Sequence, residues 1–440
     1  MRHASLTRQP IVSRVAGLLT VASDSRWVHL IILALPFAVV IVGWHGLSHS
    51  FNAFQGGDEP VHYEIVRAVA HQWPRPWLGG YGAWSGPLVY WLLATLALPF
   101  GGSLVAVRLV VCAFSWGACA IAYVLFRDRL HARPPDALAL ALLLAVSPFF
   151  FGQSFLVLTD NPTWFFVVLA LERSLAYVQR PGMARLAAFA ACLAAATIMR
   201  QISLWLLAPG LVALLSMPLP RRRQVAGLGL LVLAVVPLVA LMLYWGGPLP
   251  AAPGGGAAST PLAAVHRTRN LLLSLGVVGA YAVLMLPAAE IAGWWRRARH
   301  DRAWLAALAL SAVGAAGLLA AGVLGVVTSF LGLVSRVRFP QLAGSSLLWW
   351  FLIPLGAAAV TGLVATRLSA VSSRLLVSAL LGVLLSAMAN VRWYERYVDF
   401  PVLLAFAGLA VVAGVTLGRI DRERWLLAGL IAVGSFLWFL

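Results

Sequence analysis

Residues 85–100, SGPLVYWLLATLALPF, carry no charge, and their reading decides the fold. Counted as a membrane span, they would put Arg127, Arg129 and Arg133 on the outer face, against the tendency of arginine to stay on the cytoplasmic side. We therefore read 85–100 as a helix lying in the outer interface, with Tyr90 and Trp91 as anchors at headgroup level. The segment 60–72, PVHYEIVRAVAHQ, reads the same way, because Val61, Ile65 and Val69 recur at helical spacing and Pro60 stands at its start. Both helices then belong to a first outside loop, 47–102.

The rest of the chain is consistent with that placement. Of 440 residues 62% are hydrophobic and 10% charged, and the mean hydropathy is +0.91, too apolar for a soluble domain of this size. The apolar residues form long blocks, which lipid forces into helices because it offers the backbone no hydrogen bonds. Spans are expected near 28–46, 103–126, 137–151, 161–178, 185–199, 203–217, 225–245, 271–289, 303–331, 345–366, 374–390, 400–418 and 425–440. The expected fold is therefore an all-α polytopic membrane protein of about thirteen helices. Residues 1–27 read as a basic cytoplasmic tail, 28–440 as a single transmembrane domain, and 246–270, rich in Gly, Pro and Ala, as a mobile outside loop. On this topology 22 of the 32 arginines face the cytoplasm.

The net charge of +18 is dispersed between apolar blocks and forms no single face, which argues against a nucleic-acid partner. All the basic side chains are arginine, with Ala and Gly abundant, a composition that points to a bacterial cell membrane. Cys112, Cys119 and Cys192 all fall in apolar stretches and read as packing residues, neither disulfide partners nor metal ligands.

Against this background the polar residues on the outer face stand out. Asp58 and Glu59 follow Gly56-Gly57 and precede His62. They read either as acids favouring a helix start or as a carboxylate base, with Glu59 or His62 orienting Asp58. Asp160, in Thr159-Asp160-Asn161-Pro162, returns to the same face and is also explained by helix capping. Arg200-Gln201 sits between two apolar runs with almost no loop, where an arginine either snorkels to the interface or faces an interior cavity. His266, Arg267 and Arg269 end the outside loop, and Arg336 and Arg338 add outer cations. Arg392, Tyr394 and Arg396 lie in Asn390–Asp399, where aromatics interleave with charges. Outer cations beside outer acids suggest a site for an anionic headgroup.

The order of these motifs resembles the GT-C superfamily of polyprenyl-phosphate-sugar-dependent glycosyltransferases. Asp58-Glu59 with His62 is similar to the Asp-Glu-x-x-His of the dolichyl-phosphate-glucose α-1,2-glucosyltransferases, as are Thr159-Asp160 and Arg200-Gln201, with Ile202 in place of a threonine. The acid pair, Pro87–Leu92 and Arg108 resemble the protein mannosyltransferase and aminoarabinose transferase branch. The resemblance implies a GT-C-like bundle and an inverting transfer of a sugar from a polyprenyl phosphate to a hydroxyl of a lipid-linked, glycan or protein acceptor, on the periplasmic face. It further implies Asp58 as base, Glu59 as orienter or alternative base, and Arg200, Arg392 and Arg396 as candidates for the donor phosphate. Neither a cofactor nor a metal is expected. The competing class is a lipid or glycolipid transporter, but the internal repeats and mid-span acids common in such proteins are not visible in the sequence.

Overall fold

The computed structural model describes residues 25–46, 58–81, 83–248, 250, 264–285, 288–320, 341–342, 345–367, 370–389 and 398–412. These residues are helical almost throughout. The order begins with α1 (Arg26–Gly46), α2 (Glu59–His71), α3 (Pro87–Ala97) and α4 (Leu104–Val124). It continues with α5 (Pro134–Ala145), α6 (Pro148–Gln153), α7 (Asp160–Gln179), α8 (Met183–Met199), α9 (Leu207–Leu215) and α10 (Arg221–Trp245). The described residues end with α11 (Ala264–Met285), α12 (Ala288–His300), α13 (Arg302–Ala320), α14 (Leu347–Arg367), α15 (Val371–Ala389) and α16 (Asp399–Val412). A two-residue antiparallel pairing, Gln341–Leu342 with Ser345–Ser346, precedes α14.

Among the described residues, seven stretches are long and apolar enough to cross a membrane. They lie in α1, in α4 with the π-turn that follows it, and in α10, α11, α13, α14 and α15. The chain is thus a multi-pass membrane protein. The two helices expected in the first outside loop are present as α2 and α3, the latter extended by a 3-10 turn at Leu98–Phe100.

Other expectations are revised. The span expected at 137–151 is two helices, α5 and α6, because Pro148 biases Ser147 towards its extended backbone (φ −61°, ψ 138°). The span at 203–217 opens as a 3-10 turn, Gln201–Leu206, before α9. Helix α11 begins at Ala264, so the last residues of the supposed loop 246–270 are helical. The expected span at 425–440 and the end of that at 400–418 lie outside the described residues, so the count of thirteen is not established.

Packing between spans depends on close backbone approach, since lipid supplies no hydrophobic drive between helices. A Cβ at Gly279 of α11 would stand 2.0 Å from the Leu352 carbonyl oxygen of α14, and one at Gly356 would stand 1.8 Å from that of Leu275. Most buried apolar residues form one large cluster. A second, smaller cluster joins Ile65, Val66 and Val69 of α2 to Val89, Tyr90 and Leu93 of α3, Val107 and Val111 of α4, Val157 and Met199. That second cluster is the floor on which the candidate site stands. Cys112, Cys119 and Cys192 are buried and unpaired as thiols.

Candidate active site

Helix α2 starts where Asp58 takes the N-cap position and Pro60 enters the first turn, at which a missing N–H costs nothing. The two acids of the pair separate at this point. Asp58 is exposed, whereas Glu59 turns inward and is fully buried. Arg108, also fully buried on α4, grips Glu59 through Nε–Oε1 at 2.8 Å and Nη2–Oε2 at 2.6 Å. The Val157 N–H donates to the same Oε1 at 2.8 Å. A buried carboxylate requires such complete pairing to stay ionised. Committed on both oxygens, Glu59 ties the start of α2, the first turns of α4 and the turns before α7 into one unit.

Three residues beyond Val157 stands Asp160, the first residue of α7. The Thr159 side chain makes no capping hydrogen bond, so capping does not account for this segment. Instead Thr159 Oγ1 accepts from Arg200 Nη1 at 3.3 Å and shares a hydrogen with Ser85 Oγ at 2.7 Å. Arg200 Nη1 also donates to Asp160 Oδ1 in a short ion pair. Arg200 ends α8 in an extended conformation (φ −146°, ψ 119°) and is 8% exposed, so it lies within the fold and does not snorkel. Gln201 Nε2 and Ser203 Oγ, both buried, have no hydrogen-bond partner among the described residues.

Ser85 leads to the third side of the site. Its carbonyl accepts from the Tyr81 hydroxyl at 3.0 Å. Tyr90, an interface anchor by its sequence setting, is instead completely buried. Its hydroxyl lies 2.7 Å from His62 Nδ1, and its ring stacks on the imidazole at 5.8 Å. Burial, reinforced by the neighbouring Tyr81 phenol, pushes the Tyr90 hydroxyl well above the usual phenol range, which keeps it a hydrogen-bond donor. Trp91 remains at the surface side, its indole N–H on the Pro74 carbonyl at 3.0 Å.

The backbone brings these walls together at Gly86. Its N–H donates to the Met199 carbonyl at 2.8 Å, and a Cβ there would fall 1.7 Å from the Ile198 oxygen. On the far side of this contact runs an apolar groove of about 610 Å³, lined by Pro76, Leu78, Leu88, Trp91, Ile198 and Leu241 among others. The polar cluster and the groove therefore share the segments 85–88 and 198–200.

Of the expected site residues, the structure gathers Glu59, His62, Asp160 and Arg200 into one region, with Asp58 at its exposed edge. It adds Ser85, Tyr90, Tyr81 and Thr159. The sequence signal for Tyr90 is the Pro87–Leu92 block, whose adjacent aromatics suggest anchoring alone. His266 lies on α11 with a side chain outside the described set, Arg267 is exposed, and Arg269 is half-buried. Arg392, Tyr394 and Arg396, with Arg336 and Arg338, lie outside the described residues.

Residues 84–245 match the model of the family described as dolichyl-phosphate-mannose-protein mannosyltransferase. That segment holds the Pro87–Leu92 block, Arg108, Thr159-Asp160 and Arg200, and the match supports the resemblance to the GT-C glycosyltransferases. No curated protein matches the chain. Among solved structures, ArnT from Cupriavidus metallidurans bound to undecaprenyl phosphate is similar at 17% identity and a TM-score of 0.42, over 92% of this chain and 75% of that one. The apo form of the same protein gives 18% identity and a TM-score of 0.43 over the same shares.

Proposed function

We propose that this chain is a GT-C-type glycosyltransferase. It moves a sugar from a polyprenyl phosphate to a hydroxyl acceptor at the periplasmic face of a bacterial inner membrane. One observation carries the reading: Glu59 holds the Val157 amide, so Asp58 and Asp160 hang from the same carboxylate, one residue before it and three residues beyond its partner. An exposed acid is thereby fixed relative to a buried Arg200–Asp160 pair.

In the proposed reaction Asp58 takes the proton of the acceptor hydroxyl. The acceptor oxygen forms its bond to the anomeric carbon as the bond from that carbon to the phosphate oxygen breaks, with inversion. The leaving group departs as a phosphate and needs little protonation, so one base and a nearby cation suffice, where a glycosidase needs both acid and base. Arg200 faces the donor phosphate, with Gln201 and Ser203 as further donors beside it. The apolar groove next to Arg200 accommodates a portion of an isoprenoid tail. Glu59 serves as an anchor for Asp58; with both oxygens engaged it has no role as a second base.

The test is to incubate the purified protein in lipid nanodiscs with a panel of undecaprenyl-phosphate-linked sugars and membrane extract. One sugar is expected to leave the carrier for an acceptor, with stoichiometric undecaprenyl phosphate. A folded protein that turns over no donor in the panel would refute the reading.

A further inference from the structure

Hydrogen bonds between helices fix which end of the bundle the later elements occupy. Ser386 Oγ on α15 donates to the Ile202 carbonyl at 2.8 Å, close to Arg200 in the chain, and Asn270 Nδ2 on α11 donates to the Ala387 carbonyl at 3.2 Å. Asn270 therefore stands level with the candidate site. From there α11 runs on to Met285, about 22 Å away at 1.5 Å per residue, so α12 follows at the opposite membrane face. Trp245, at the end of α10, donates to the Leu78 carbonyl at 2.6 Å on the site's side, which puts Arg221–Arg223, at the start of α10, on that opposite face too.

At this far end α12 and α13 meet in an elbow. Trp304 Nε1 donates to the Trp294 carbonyl at 3.1 Å, and the buried Trp294 ring stands 2.8 Å from where a Cβ on Gly362 of α14 would fall. Arg296, Arg297, Arg299 and Arg302 lie within seven residues of the bend, and all are exposed. Arg297 sits over the Trp304 ring at 5.7 Å. Asp301 accepts from the Trp304 N–H at 3.1 Å as a helix cap. Among the described residues Arg296, Arg297 and Arg302 form no ion pair, and the buried Trp294 Nε1 has no acceptor. The elbow is rich in donors and short of acceptors.

We propose that this elbow binds the phosphate headgroup of an anionic phospholipid in the leaflet opposite the candidate site. Guanidinium forks match pairs of phosphate oxygens, and the headgroup supplies the negative charge and acceptor atoms that this stretch lacks. Helix α12 turns Trp294 into the protein and its arginines outward, as a helix lying on an anionic membrane surface does. The apolar surface next to the cations selects a lipid over a soluble anion or an acidic protein segment. Leu305, three residues after Arg302 and on the same side of α13, is exposed, as are Leu310 and Val313 further along. Acyl chains lie against these residues while the headgroup meets the arginines.

The test follows thermal unfolding of the full chain in nanodiscs of phosphatidylcholine with and without phosphatidylglycerol, and needs no transferase activity. Phosphatidylglycerol should raise the wild-type Tm by about 2–4 °C. Arg296→Gln, Arg297→Gln and Arg302→Gln, combined in one chain, should lose most of that rise. Arg221→Gln, Arg222→Gln and Arg223→Gln, combined likewise, remove the same charge from the same face and should keep it. No rise in wild type, a rise retained by the elbow variant, or equal loss in both variants would overturn the proposal. So would an equal rise from inorganic phosphate in phosphatidylcholine discs. Crosslinking of the unmodified chain covers the case in which the elbow variant fails to fold. A photoactivatable phosphatidylglycerol should label residues 294–313 most heavily, and labelling confined to other segments would contradict the site.

Discussion

The Arg108 guanidinium closes on the Glu59 carboxylate at 2.8 and 2.6 Å, and neither side chain reaches solvent. Removing one partner of a buried pair strands the other charge and typically costs about 3–5 kcal/mol. Arg108→Ala should therefore unfold far earlier in a thermal scan than wild type. Arg108→Lys should be only partly rescued, because an ammonium does not match the two oxygens as a fork. Equal melting of Arg108→Ala and wild type would show that the Glu59–Arg108 pair does not hold the fold together.

Gly86 offers a second check on the site's frame. An added Cβ would fall 1.7 Å from the Ile198 oxygen, so Gly86→Ala must force open the close backbone contact made by the Gly86–Met199 hydrogen bond. Overpacking of this kind costs about 1–3 kcal/mol or more. Gly43→Ala, where nothing lies within 4 Å, serves as the matched control and should melt like wild type.

In the proposed reaction Arg200 faces the donor phosphate. A hydrogen bond to a charged group is worth roughly 1.5–3 kcal/mol, or about ten- to a hundredfold in affinity. Arg200→Ala should weaken undecaprenyl phosphate binding by that factor and leave acceptor affinity nearly untouched. Unchanged binding of the carrier would reduce Arg200 to a tie on Asp160.

The orientation is tested by cysteine labelling. The native cysteines are buried, so background reaction is low. A cysteine at the exposed Glu64 should react with a membrane-impermeant thiol reagent applied from outside, and one at the exposed Arg222 should not. The reverse pattern would place the acid pair in the cytoplasm.

Much of the scaffold is legible in the sequence because the physics that sets it is local. An uninterrupted apolar run such as 225–245 has no solution in lipid other than a helix, and α10 covers it. Boundaries are less legible where one residue overrides a hydrophobic run. Pro148 divides the expected third span, and no hydropathy window registers that. The pairings within the site are invisible for a different reason. Asp160 and Arg200 are 40 residues apart, and Glu59 and Arg108 are 49. Their types announce chemistry, but only the tertiary fold says that Glu59 is buried against Arg108 while Asp58 lies exposed. Tyr90 is hidden in the same way. A tyrosine beside a tryptophan at a helix start reads as an interface pair until the structure shows which face carries His62.

Asp58 is the base in the proposed transfer, and Asp58→Asn probes that role without disturbing the frame. The amide keeps the size and most of the hydrogen bonding of the acid but does not accept a proton at neutral pH. General-base assistance contributes about 10²–10⁴-fold in rate. The variant should insert, melt like wild type and bind undecaprenyl phosphate normally, because Asp58 is exposed and the Glu59–Arg108 clamp is left intact. Single-turnover transfer from the cognate donor should fall by at least about a hundredfold. Transfer at the wild-type rate by a normally folded Asp58→Asn would rule out Asp58 as the base.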